Sequence, residues 1–115
     1  MTSYTLVESG PKTGGDFHAV HGIQLKNGDL ISAGSGGQKG EKINVGTGRF
    51  AVVTVRGKWT AQLGEINRTS EANWVAESPD GSYVVAVGFI ENEAGKPDQA
   101  VWKLDANTGK QIWMM

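Results

Sequence analysis

An internal repeat is the sequence feature that most restricts the folds open to this chain. When the chain is aligned with itself, Tyr4 falls on Trp59 and Asp16 falls on Glu71, a shift of 55 residues in both cases. After a two-residue deletion the alignment continues through Gly28 at a shift of 53 residues. Self-similarity at a period of about 50 residues indicates one supersecondary unit built twice.

Each copy divides into short segments that are typical of β-strands. Clusters of Gly, Asn, Asp and Pro separate the segments, and the chain has 17 glycines, roughly twice ordinary usage. The segments are rich in β-branched and aromatic residues, which suit a pleated, half-buried surface. A helix over residues 65–78 is the alternative for one segment, but its apolar residues form no i, i+3, i+4 stripe. We therefore predict an all-β protein with strands at residues 4–8, 17–25, 30–34, 49–55, 58–63, 73–77, 83–89, 99–104 and 111–114.

Four such strands follow one another in each copy, and a four-stranded meander repeated at this period is typical of a β-propeller blade. The second copy contains SPDGSYVVAVGF and, further on, QAVWKLDANTGKQIW. These stretches resemble the repeats of PQQ-like and delta-60-type β-propellers at Asp80, Gly81, Tyr83, Val84, Val85, Lys103, Leu104, Asp105, Gly109, Lys110 and Trp113. The first copy matches at Gly28 and at residues 30–34, but a shorter turn at Gly57 replaces the family's longer one.

The resemblance covers residues 4–115 and implies a propeller-like fold without implying one function, because such repeats serve many activities. The residues that hold the quinone in the quinone-dependent enzymes are not recognisable in this chain. No cofactor is therefore expected.

Length and repeat count predict one domain over residues 1–115, with repeat one at about 17–63 and repeat two at about 72–115. A leading strand at about 4–8 aligns with the last strand of a blade. Propellers close with about four to eight blades, so two blades cannot close a ring. Three accounts stay open: self-association into a ring, membership of a larger assembly, or an open two-sheet sandwich.

Uncovered apolar strands argue against an isolated monomer. In a two-blade arc the outward sides of both repeats, including residues 50–55 and 84–87, would face water. Exposed apolar patches of several hundred Å² are rare on monomers. Protein subunits, either further copies or other chains, are the predicted partners.

Charge and composition exclude several classes of function. The chain has 11 Lys and Arg against 12 Asp and Glu, with no basic cluster, which argues against nucleic-acid binding. It has no cysteine, so disulfides and thiolate metal sites are excluded. The sequence shows no signal-peptide pattern and no apolar run long enough for a membrane span, which predicts a soluble intracellular protein.

The two histidines are candidate binding residues. His18 and His21 are three residues apart, so on a regular strand they point to opposite faces and cannot chelate one ion together. Asp16 and His18 would share a face, but two ligands are too few for zinc. No metal site is predicted, and one histidine would face a propeller's central channel if its strand is the innermost.

Two polar loops at equivalent places in the repeats form a second candidate surface. Residues 34–42 contain Lys39, and residues 90–98 contain Lys96. The first loop is rich in glycine but matches no phosphate-binding motif in spacing, and no helix follows it. Loops at equivalent places lie on the same side of a propeller, so both are predicted to contribute to a partner surface.

Four tryptophans are many for a chain of this length. Trp59 and Trp113 are predicted to pack between the repeats. Trp74 and Trp102 are either core residues or exposed platforms for sugar rings. The carboxylates form no catalytic pair, and no Ser/His/Asp set is recognisable. We therefore predict a non-enzymatic binding or scaffolding module, with an oligomeric carbohydrate-binding lectin as the alternative.

Overall fold

The structure, a computed structural model, describes residues 17–36, 49–64 and 68–115 together with the backbone of residues 3–4 and 7–8. These residues contain ten strands and no helix: β1 (Ser3–Tyr4), β2 (Val7–Glu8), β3 (Phe17–Gln24), β4 (Leu30–Gly36), β5 (Phe50–Val55), β6 (Trp59–Gln62), β7 (Ser70–Glu77), β8 (Tyr83–Glu91), β9 (Pro97–Asp105) and β10 (Gln111–Met114). The predicted all-β class is confirmed. None of the described residues belongs to a helix that could cross a lipid bilayer.

The alternative of a helix over residues 65–78 is wrong where the structure describes that segment. β7 occupies its larger part, and residues 65–67 lie outside the described residues. The burial pattern of β7 follows the two-residue alternation of a strand before and after an irregularity. The absence of a helical apolar stripe was therefore the decisive sequence signal.

The strands form two antiparallel sheets, and each is one meander. Sheet A joins β3, β4, β5 and β6 in chain order, and β1 and β2 pair with the free edge of β3. Sheet B joins β7, β8, β9 and β10 in chain order. The two predicted four-stranded meanders are confirmed. The leading segment adds two short strands to sheet A beside its first long strand.

Both meanders carry a β-bulge at the same place in their first long strand. The extra residue is Val20 in β3 and Asn73 in β7. The residues that follow these bulges, His21 and Trp74, therefore occupy equivalent positions in the two repeats. A bulge changes which face of the sheet the following side chains point to, so the pattern of faces is shared as well.

A glycine in the neighbouring strand accommodates each bulge. A Cβ atom on Gly34 would lie 2.0 Å from the carbonyl oxygen of His18, and one on Gly88 would lie 1.8 Å from the carbonyl oxygen of Glu71. No side chain fits at such distances. The two repeats therefore share the same close approach of two backbones, with a glycine opposite the bulged strand in each sheet.

Sheet B lies against one face of sheet A, and β7 contacts β3, β4 and β5. One apolar core fills the space between the sheets, with Trp102 fully buried in it. This core consists of Ile23, Leu25, Ile31, Ala33, Ala51, Val53, Val55, Trp59 and Leu63 from repeat one, and Ala72, Val75, Val84, Ala86, Ile90, Ala100, Trp102 and Leu104 from repeat two.

Hydrogen bonds also join the two repeats. The indole Nε1 of Trp59 donates a hydrogen bond to the carbonyl oxygen of Ala106 at 3.0 Å. The backbone N–H of Lys26 donates to a carboxylate oxygen of Glu77 at 2.9 Å. These hydrogen bonds, together with the apolar packing, fix the position of one sheet relative to the other.

Sheet A is buried on both faces. All six residues of β5 are buried, and Phe50 and Val52 on the face turned away from sheet B form a second cluster with Phe17 and Ala19. The prediction that residues 50–55 have an uncovered outward side is therefore wrong. Sheet B differs, because the residues of β8 alternate between buried and partly exposed.

Candidate functional site

The face of sheet B turned away from sheet A is an open apolar surface, which we call the outer face. The strand register places alternate residues of β7, β8, β9 and β10 on it. All of them are partly or largely exposed. The outer face consists of Glu71, Ala76, Tyr83, Val85, Val87, Phe89, Glu91, Gln99, Val101, Lys103, Asp105 and Trp113. Trp74 shares this register on the edge strand β7, but its ring stacks on His21 of sheet A.

The equivalent surface of repeat one is covered. Trp74 and Val87 pair across β7 and β8 as His21 and Ala33 pair across β3 and β4. His21 and Ala33 belong to the face of sheet A that sheet B covers, and both are buried. Their counterparts on sheet B are more accessible to solvent, since Trp74 is 57% exposed and Val87 is partly exposed. The outer face is therefore the second copy of a packing surface whose first copy is occupied.

His21 and Trp74 also contact each other. Their rings stack with centroids 3.8 Å apart and an angle of 13° between planes. His21 Nδ1 accepts a hydrogen bond from the backbone N–H of Val75 at 3.1 Å. Neutral imidazole that accepts at Nδ1 carries its proton on Nε2, and that atom is buried without a hydrogen-bond partner in the described residues.

The expectation that the two histidines point to opposite faces is wrong. The bulge at Val20 shifts the register, so His18 and His21 pair with Ser35 and Ala33, which lie on one face of β4. His18 is nevertheless exposed near the start of β3, whereas the ring of His21 is buried against the ring of Trp74. The structure therefore makes His21 a junction residue between the repeats and leaves His18 at the surface.

We expect the protein to lose stability as the pH falls below 6.5. Burial lowers the pKa of His21 from its ordinary value of 6.5. The unfolded chain then takes up a proton that the folded chain resists, so lowering the pH favours unfolding. A protonated Nδ1 also could not accept from the N–H of Val75. Urea unfolding between pH 8 and pH 5 measures the effect, and His21→Gln should show a weaker pH dependence; an identical dependence in both proteins would contradict it.

The predicted loop surface differs in the structure. Residues 90–98 form the end of a long hairpin rather than a loop, because β8 and β9 continue to a tight turn. The carboxamide oxygen of Asn92 accepts from the N–H groups of Ala94 and Lys96, and Gly95 takes a positive φ of 76°. Lys96 is exposed in this turn. Lys39 lies outside the described residues.

The other tryptophans have distinct roles. Trp102 is fully buried in the core, so the structure assigns it to packing and excludes it as a binding platform. Trp59 is buried to all but 9% and packs on Gly109, as predicted. Trp113 is 38% exposed on the edge strand β10, so its predicted burial between the repeats is wrong. Its neighbours Ile112 and Met114 are also exposed, at 52% and 43%.

Among the described residues, the two carboxylates with a clearly lowered pKa belong to turns. Asp80 accepts hydrogen bonds from the Ser82 hydroxyl, the Ser82 N–H and the Ser78 hydroxyl, which lower its pKa to about 2. The N–H groups of Asn107 and Thr108 lower the pKa of Asp105 in the same way. These two carboxylates hold the backbone in place, and the described residues contain no cluster of three or more metal-ligating side chains.

A shallow groove lies at the end of sheet B, beside residues Asn92, Asp98 and Met115. Its volume of about 170 Å³ is small against the roughly 300–1,000 Å³ of typical small-molecule sites.

The centre of the outer face is formed by Val87, Phe89 and Val101. The prediction of an uncovered side within residues 84–87 holds for Val85 and Val87, which are partly exposed, whereas Phe89 and Val101 were not singled out. One signal for them was present. The strand 83–89 is apolar at nearly every position, and a strand that is apolar on both sides is typical of one covered on both sides. Only one of its sides is covered here.

Comparison of the chain with protein-family models, with curated proteins and with solved structures finds no match.

Proposed function

We propose that this chain is a non-enzymatic binding module, a propeller-like two-repeat subunit that docks another protein surface on its outer face. One observation supports the proposal above all others. The outer face repeats, position by position, a surface that is buried in repeat one. A surface built for packing and left open is a candidate for packing against a partner.

The composition of the outer face also supports protein binding. Its centre carries Val87, Phe89 and Val101, and its charged residues lie toward the ends of the strands. Protein interfaces have apolar and aromatic centres that are depleted in charge, with a polar rim. The resemblance of repeat two to propeller repeats belongs to the same proposal, because blades of that class pack face to face.

Site-specific photo-crosslinking in the source cells tests this function. We expect p-benzoylphenylalanine at Val87 to form a protein adduct, because that position lies at the centre of the outer face. The matched control is the same replacement at Val20, a valine 38% exposed on sheet A, which should form none. Absence of any adduct at position 87, whether with a foreign protein or with the chain itself, would contradict the proposal.

Carbohydrate binding is the second candidate, and it depends on the exposed tryptophans. Trp74 and Trp113 offer indole faces at the surface, at 57% and 38% exposure. Aromatic faces of this kind present a rigid apolar platform with a polar edge. A glycan array separates the two functions: sugar-competable binding that Trp74→Ala abolishes would favour the lectin, and an array without binding would leave the protein-binding module.

A further inference from the structure

We propose that the outer face is covered by the outer face of a second copy of this chain, in a reversible twofold dimer. This inference rests on the proposed function and names its partner. It follows from which faces of the two sheets are open, from the charges along the outer face and from its area.

Two copies of the chain could associate head to tail or through the same face of each copy, and only the second arrangement has its surfaces open. In a head-to-tail ring, the outer face of one copy would pack on the far face of the next copy's sheet A. That far face is already buried, as Phe17, Ala19, Phe50 and Val52 are at most 5% exposed. An isologous contact needs only one surface used twice, and the outer face is open.

The charges of the outer face suit a partner that runs in the opposite direction. Glu71 and Glu91 lie toward the turn at residues 92–96, and Lys103 lies toward the other end, 4.1 Å over the ring of Tyr83. Asp105 also lies at that end, but its carboxylate accepts hydrogen bonds from two N–H groups of its own turn. A reversed second copy brings the lysine of each chain toward the glutamates of the other.

The size of the face agrees with a reversible dimer. Sheet B has four strands, of which the longest have nine residues. At about 4.8 Å between strands and about 3.3 Å per residue, the face covers on the order of 600 Å². Two copies would bury about 1,200 Å² in total, which is at the low end of specific interfaces. An area of this size fits a reversible contact rather than a permanent dimer.

Sedimentation equilibrium of the full chain from 1 µM to 1 mM tests the dimer. We expect the molar mass to rise from 12.2 kDa to twice that value across this range. Val87→Glu should raise the dissociation constant at least tenfold, while the matched variant Val20→Glu on sheet A should leave it unchanged. Circular dichroism of both variants establishes that each is folded.

A charge exchange tests the reversed arrangement without changing the apolar centre. Lys103→Glu alone and Glu71→Lys alone should each weaken the dimer, because like charges then face each other. An equimolar mixture of the two variants should restore it, because both facing pairs are again of opposite sign. A mixture as weak as the single variants would overturn the twofold arrangement.

The outcomes separate this inference from the proposed function. A chain that remains monomeric at 1 mM, or a Val87→Glu variant that dimerises as the wild type does, overturns the second copy as partner. If the photo-crosslink at position 87 then joins a different protein, the proposed function stands with another partner. If no adduct forms at all, both fail.

Discussion

Gly88→Ala is expected to abolish the stable fold or to lower the melting temperature by about 10 °C or more. A Cβ atom at this position would lie 1.8 Å from the backbone oxygen of Glu71, and no rotation of a side chain relieves a backbone clash. Overpacking a core costs about 1–3 kcal/mol, and a backbone contact this close should cost about 3 kcal/mol or more. Gly34→Ala should behave alike, because its clash with the oxygen of His18 at 2.0 Å is equivalent. Thermal unfolding followed by circular dichroism measures both.

Gly28→Ala provides the matched control for these variants. Gly28 takes a φ of 95° in a turn, and a Cβ atom there would meet nothing within 4 Å. Its replacement should therefore cost only the strain of a left-handed backbone, roughly 1–2 kcal/mol. A Gly88→Ala variant no less stable than Gly28→Ala would contradict the close approach of the β7 and β8 backbones at the bulge.

Trp102→Ala is expected to cost about 3–5 kcal/mol of unfolding free energy, because it empties the centre of the core between the sheets. Trp102 is fully buried, and its cavity would be lined by residues of both repeats, since the core cluster spans both sheets. A loss of that size is a large part of the roughly 5–15 kcal/mol by which a small domain is stable. Urea unfolding at neutral pH is the measurement.

Trp74→Ala removes the same side chain from the surface and is the control. Trp74 is 57% exposed and stacks on His21, so its loss should cost about 1 kcal/mol or less. If Trp102→Ala and Trp74→Ala lowered the unfolding free energy equally, the difference in burial between these two tryptophans would be contradicted.

Much of the architecture could be predicted from local patterns. Turn residues and β-branched runs predict the strands, because a strand and a tight turn are decided by a few neighbouring residues. The repeat predicts two equal meanders for the same reason, since similar segments make similar hairpins. The leading segment was predicted as a strand, but sequence alone did not show that it pairs with β3 in two short pieces.

The candidate site could be predicted only in part. His21 and Trp74 were selected as separate residues, and nothing in their spacing shows that they stack at 3.8 Å. Their contact depends on bulges at Val20 and Asn73, and one extra residue in a strand reverses the faces of all that follow. Polar and aromatic residue types drew attention to Lys39, Lys96 and Trp102, whereas the outer face is centred on ordinary valines.

The all-β class, the two meanders and the positions of most turns follow from residues that are close together in the chain, so local patterns were enough to predict them. The sequence also showed that strand 83–89 is apolar on both sides. That sheet A is covered on both faces and sheet B on one became visible in the folded chain and not before. Burial of a face depends on contacts between residues about fifty positions apart, and such contacts are set by how whole sheets stack. The open face of sheet B follows from that stacking.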